Sequence, residues 1–179
     1  MKRRSIAVLG GGHGARTVAA DMSLAGHQVS LFEFEQFHDN IAEIFRGKKI
    51  AIRGKARQGE AQIARCSHDM AEAIAGVEII LIITPALYHR NYGKLLAGHL
   101  KGGEHVVLIP GTMGSLEFLT TLQENGCKAK ITVSELDTLP YATRMTGPAS
   151  VNVYHALPVF GAGVFPAVKT GEVLKILRD

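Results

Sequence analysis

The chain is poor in cysteine and lacks tryptophan: Cys66 and Cys127 are the only thiols among 179 residues. With no CxxC and no second pair nearby, they form neither a disulfide framework nor a zinc site. Aromatic residues make up 6% of the chain, and no basic stripe is interleaved with them. A nucleic-acid surface built on stacking is therefore excluded. Long apolar runs are missing too. The longest aliphatic stretch, Ile79 to Ile83, is far below the ~18 residues of a membrane helix. The start, Lys2-Arg3-Arg4 before Ile6 to Leu9, has the charge order of a secretion signal. Its apolar part stops after four residues at three glycines, against the ~7–15 such a signal needs. The charge excess is small, 20 − 16 = +4, favouring anionic ligands in general. These absences point to a soluble, reduced, cytoplasmic protein.

Glycine is plentiful: 20 of 179 residues, against a usual ~7%. The glycines stand singly or in tight clusters between apolar runs of strand length, which alternate with segments of helical period. This is the pattern of a βαβ chain with a parallel sheet. Strands are expected at Ile6 to Leu9, Val29 to Phe32, Val77 to Ile83, His105 to Ile109 and Ile131 to Val133. Val77 to Ile83 is the most apolar and should lie centrally. Helices are expected at Ala15 to Ala25, Phe37 to Phe45, a short one capped by Ser67 or Asp69, Leu87 to Leu100 and Leu116 to Asn125. Gly47 to Arg65 reads as an irregular, solvated hairpin, and a basic run of Arg46, Lys48, Lys49, Arg53, Lys55 and Arg57 leads into and along it. From Glu135 to Pro166 the pattern degrades into short β-like pieces, and Ala167 to Leu177 returns to helical period. The expected fold is α/β, a Rossmann-type doubly wound, mostly parallel sheet with helices on both faces. Residues 1–165 would form the dinucleotide-binding domain and 166–179 a terminal helix.

Ile6-Ala7-Val8-Leu9-Gly10-Gly11-Gly12-His13-Gly14-Ala15 carries the chemistry. Gly10, Gly12 and Ala15 fit G-x-G-x-x-[GA] directly after a strand and at the opening of a helix. Gly10 permits the turn, Gly12 lets backbone approach a pyrophosphate, and Ala15 lets helix and strand pack closely. The helix N-terminus then holds the phosphate charge. Glu33 lies 33 − 10 = 23 residues after the first glycine, close to the ~20 expected of a ribose-binding carboxylate. Its charge would repel a 2′-phosphate, so NAD is preferred; the competing feature is the basic run from Arg46 to Arg57, which as a 2′-phosphate site would admit NADP. Thr84-Pro85-Ala86 and Pro110 to Gly114 end two expected parallel strands, where open α/β sheets bind ligands.

Leu9 to Ala15, Ile79 to Ala86, Leu108 to Phe118, Ser134-Glu135 and Leu139 to Ala142 together resemble the N-terminal domain of the opine (octopine/nopaline) dehydrogenases. The resemblance implies an oxidoreductase that joins an amino acid to a 2-oxo acid by reducing their imine with NADH or NADPH. It implies that Gly10, Gly11, Gly12, His13, Gly14 and Ala15 form the pyrophosphate loop, Glu33 the ribose acid, and Thr84, Pro85 and Ala86 a cofactor-lining turn. It also implies a following helical domain with the catalytic histidine–aspartate pair. No residue here matches that pair, so the expectation is a cofactor domain that lacks its catalytic domain and needs it, or a helical subunit, for turnover. Apolar surface around Val159 to Leu177 would then support docking or homo-oligomer formation.

No catalytic residue is assigned. The eight histidines show no HxxxH or HExxH spacing, so no metal site is expected. Each reads as surface or packing, with His13 contacting phosphate or capping its helix. The competing readings are a dinucleotide-binding or redox-sensing module without activity, and a fragment of a ketopantoate-reductase-like dehydrogenase.

Overall fold

The computed structural model describes residues 2–178. In chain order its strands and helices are β1 (Ser5–Leu9), α1 (His13–Leu24), β2 (Gln28–Phe32), α2 (His38–Gly47), β3 (Lys49–Gly54) and β4 (Gly59–Gln62). There follow β5 (Arg65–Ser67), α3 (Met70–Ala73), β6 (Ile79–Ile82), α4 (His89–Leu96), β7 (His105–Leu108) and α5 (Gly114–Glu124). The last are β8 (Thr132–Leu136), β9 (Tyr141–Gly147), β10 (Ser150–Ala156), β11 (Ala162–Phe165) and α6 (Thr170–Arg178).

The main sheet has seven strands in the order β11-β8-β7-β6-β1-β2-β5, with β6 at its centre as its composition predicts. All pairs are parallel except β11 with β8. The chain winds outward from β1 through β2 and then from β6 through β7 and β8. The order therefore reverses between β1 and β6, and a crevice opens there at the carboxyl ends of the strands. Strand residues alternate between two apolar cores. In β1, Ile6 and Val8 face one core with Val18 and Ala19 of α1. Ala7 and Leu9 face the other with Tyr92 of α4 and Phe118 of α5.

The chain departs from the sequence expectation in its second sheet. The hairpin β3–β4 is regular and antiparallel, and β3 also pairs in parallel with β10, giving the order β4-β3-β10-β9. The region that reads as degraded thus forms three full strands, β9 and β10 in this sheet and β11 at the edge of the main one. In β9 only Thr143 is fully buried, so the strand carries no apolar alternation to betray it. The basic side chains of the β3–β4 segment are exposed as expected, whereas Ile50, Ile52, Ala61 and Ile63 beneath them are buried.

Helix α1 lies between the two sheets and meets β9 through a ladder of polar contacts. His13 Nδ1 accepts from the Met145 N–H at 2.8 Å. The Thr17 and Thr143 hydroxyls are 2.8 Å apart, and Tyr141 donates to Asp21 Oδ2 at 2.8 Å. Helix positions 13, 17 and 21 repeat every four residues, while 145, 143 and 141 repeat every two along the strand. Both spacings are about 6–7 Å, so the rungs stay in register. Buried Asp21 also accepts from the Arg57 side chain at 2.8 Å, and burial beside this carboxylate raises the Tyr141 pKa.

Candidate cofactor site

The crevice is built from the strand ends outward. Gly10 leaves β1 at φ +116°, a conformation that favours glycine. A Cβ there would stand 2.8 Å from the Ile83 carbonyl oxygen. Its N–H donates to the Phe32 carbonyl at 2.9 Å, which ties the loop to β2. Gly12 is the N-cap of α1 and supplies no side-chain cap, and the first turn of the helix holds no acidic residue. A Cβ at Gly12 would meet nothing within 4 Å. The helix therefore presents its N-terminal dipole and backbone donors to open space, a seat for an anion.

Glu33 follows β2 and lies against this loop. Its Oε1 accepts from the Phe34 N–H at 2.8 Å, and a Cβ at Gly11 would stand 2.6 Å from its Oε2. Burial pushes the Glu33 carboxyl above the ordinary carboxylate value. The Phe34 and Gly11 amides, Arg16 and His68 oppose the shift less strongly. A carboxylate held at this strand end can accept hydrogen bonds from vicinal hydroxyls.

The cleft between the loop and α4 measures about 710 Å³. Phe34 and Tyr92 form part of its wall, with ring centroids 5.3 Å apart, and Phe32 supports both edge-on. Thr84 borders the same cleft, and its buried hydroxyl lacks a hydrogen-bond partner in the protein. An open anion seat, a carboxylate beyond it, an aromatic wall and an unpartnered hydroxyl fit a nucleotide carrying phosphates.

The structure brings Gly10, Gly11, Gly12, Glu33, Thr84 and Pro85 around this one cleft. Ala86 begins the 3₁₀ turn Ala86–Tyr88 just beyond it. Gly14 and Ala15 lie beneath the loop as packing positions: a Cβ at Gly14 would reach Leu139 Cδ2 at 2.9 Å, and Ala15 is fully buried. His13 borders a second cleft of about 690 Å³ on the other side of the loop. Its Nδ1 is engaged by Met145, so it docks the second sheet rather than capping α1.

The Pro110 to Gly114 turn borders a separate cleft of about 440 Å³ through Thr112 and Met113. Nearby, Glu135 Oε2 accepts from the Ser115 N–H at 3.0 Å and so occupies the N-terminus of α5. His89 is fully buried, and a Cβ on Gly114 would collide with its Nδ1. Burial lowers its pKa, and the Thr84 backbone, Glu117 and Glu135 oppose this less strongly. Neither ring nitrogen closes a well-formed hydrogen bond. Among the described residues no histidine borders the main cleft, no cluster of three or more ligands could hold a metal ion, and no helix is long and apolar enough to cross a membrane.

Several contributors escape the sequence reading: the Phe34 ring, one face of α4 with the turn before it, and Arg16. Tyr88, Tyr92 and Leu95 line the cleft at i, i+4 and i+7, a spacing readable as one helical face. Arg16, the largest fully buried side chain, sits behind the glycine loop. A lone arginine in a helix ordinarily marks the solvent side, so nothing in the sequence signalled its burial.

The chain is similar to known proteins over nearly its whole length. The family described as the NAD-dependent glycerol-3-phosphate dehydrogenase N-terminus matches residues 5–132. An opine dehydrogenase from Arthrobacter sp. (strain 1C) is 29% identical over 176 residues, covering 98% of this chain and 48% of that protein. The chain thus spans about half the length of this curated relative. Octopine dehydrogenase solved with NADH and agmatine superposes with TM-score 0.79 at 20% identity, over 98% of this chain and 46% of that one. NADP⁺-bound yersinopine dehydrogenase gives 0.75 at 14%, over 99% and 46%. A ketopantoate reductase from Ralstonia eutropha gives 0.68 at 16%, over 97% and 53%. These structural likenesses establish the Rossmann-type fold, and the opine dehydrogenase match upholds the resemblance read from the sequence.

Proposed function

Because the chain belongs to the family of NAD-dependent glycerol-3-phosphate dehydrogenase N-terminal domains, we propose that it binds a nicotinamide dinucleotide, NAD(H) in preference to NADP(H), in the crevice between β1 and β6. The observation that carries this reading is the open, uncapped N-terminus of α1 at Gly12 with the Glu33 carboxylate beside it. The loop and α1 would take the pyrophosphate. Glu33 would accept from the ribose hydroxyls and repel a 2′-phosphate. Phe34, Tyr88 and Tyr92 would flank the adenine, and the Thr84 hydroxyl would gain the partner it lacks. His13, Gly14 and Ala15 serve by shaping the loop and Ala86 by ending the turn. A bound dinucleotide of this kind supplies hydride transfer.

The reaction class is that of the opine dehydrogenases, reductive condensation of an amino acid with a 2-oxo acid. Similarity across 176 residues supports it, whereas the ketopantoate reductases share the fold alone. Residues 1–165 are the binding unit. The substrate side would come from a helical domain or subunit docking on the exposed apolar residues Val159, Phe165 and Val168. Isothermal titration with NADH and NADPH tests the cofactor assignment. Tighter NADH binding is expected. Tighter NADPH binding would overturn the role given to Glu33 and favour the basic run from Arg46 to Arg57 as a 2′-phosphate site.

A further inference from the structure

Arg16 is 2% exposed, yet its guanidinium makes no hydrogen bond to a carboxylate. All three of its nitrogens donate to backbone carbonyls, each from a different segment. Nε reaches Gly11 O at 2.7 Å in the glycine loop. One terminal nitrogen reaches Pro148 O at 2.6 Å, between β9 and β10, and the other reaches Asn40 O at 2.5 Å in α2. A buried cation satisfied only by neutral carbonyls is costly to maintain, and burial lowers its pKa while the Glu33 charge opposes the shift. Core packing alone would be served at less cost by an apolar side chain.

The Gly11 carbonyl and the Gly12 N–H belong to one planar trans peptide and point in opposite directions. By drawing the Gly11 oxygen inward, Arg16 turns the Gly12 N–H away from itself, at the residue whose Cβ direction is open. Its other two bonds hold the start of α2 and the β9–β10 turn against the same loop, and all three segments border the 690 Å³ cleft behind it. His13 and Thr17 add their contacts to β9 from the same end of α1.

We propose that Arg16 is a positioning residue for the phosphate seat, a three-way clamp that orients the Gly11–Gly12 peptide and makes the seat depend on the docking of the second sheet. This rests on the dinucleotide reading above. Arg16→Lys keeps the charge but gathers its donors on one atom, which cannot serve three divergent carbonyls. Calorimetry with the variant should show NADH and ADP binding weakened about tenfold or more. Adenosine, which has no phosphate, should change by less than about twofold when followed by ligand-observed NMR. NADH and ADP affinities within about twofold of the parent chain would overturn the proposal. So would equal losses for ADP and adenosine, which a purely structural role predicts. If the variant fails to fold, the unaltered chain still decides. Its Arg16 Nε–H resonance should shift on saturation with ADP and hold still with adenosine, and an unmoved signal under ADP overturns the clamp. Failure of the unaltered chain to take up NADH or ADP would sink the dinucleotide reading itself, an outcome distinct from a variant that binds as well as its parent.

Discussion

Replacing Gly12 by valine separates folding from binding. Gly12 has φ −74° and ψ −178°, an extended conformation that valine adopts readily. A Cβ there meets nothing within 4 Å. The cost to folding is the weaker N-cap, about 1 kcal/mol or less, which for a chain of this size lowers Tm by roughly 2–4 °C. The cost to binding is larger. Valine fills the seat with three carbon atoms and denies a phosphate one or two charge-assisted hydrogen bonds, each contributing about 1.5–3 kcal/mol. NADH affinity should therefore fall at least tenfold, about 1.4 kcal/mol, with the circular-dichroism spectrum unchanged. Gly12→Ala should fall between the two. Gly10→Ala gives the contrast: φ +116° and the Ile83 oxygen 2.8 Å from a Cβ make it lose stability first. Titration by NADH fluorescence reads the result. A Gly12→Val chain that binds NADH as well as its parent would refute the placement of the phosphate seat.

Glu33→Gln should weaken NADH binding and improve NADPH binding relative to the unaltered chain, measured by calorimetry. The same variant should gain thermal stability relative to its parent at pH 7 but not near pH 4. The folded-state pKa of Glu33 is raised, so both states are protonated below the ordinary carboxylate value, and the ionised side chain destabilises the fold as pH rises through the raised value. A larger gain at pH 4 would contradict this. Asp21→Asn should lower Tm by several degrees in calorimetric melting, because it weakens the charge-assisted bonds from Arg57 and Tyr141 at a buried site; an unchanged Tm would show that the second sheet docks without them. The 179-residue chain, assayed alone with NADH, pyruvate and mixed amino acids, should turn over far below the ~10 s⁻¹ typical of enzymes, because the proposal takes substrate positioning and the proton donor from a docking helical domain or subunit. A rate near that value would place a proton donor among residues read here as packing.

The half of the site nearest the amino terminus was legible because its requirements are local. Strand, tight turn, helix and strand-end acid follow one another within residues 5–33, and each is marked by residue type and spacing. The central place of β6 was legible from Ile79 to Ile83 alone. The second sheet was hidden because β10 pairs with β3 across about a hundred residues and β9 is held by Thr143 and Tyr141 to the polar side of α1. Polar contacts of that range leave no periodic signal. Arg16 was hidden for the same reason: its partners are carbonyls of Gly11, Asn40 and Pro148, and backbone carries no sequence signature.

The most direct test of the dinucleotide assignment is a map of backbone amide NMR shifts on titration with NADH. The largest changes should fall on Gly10 to His13, Glu33, Phe34 and Thr84, at the carboxyl ends of β1, β2 and β6. Changes confined to the opposite ends of the strands, around His105, Lys130 and Thr132, or no changes at saturating NADH, would contradict it.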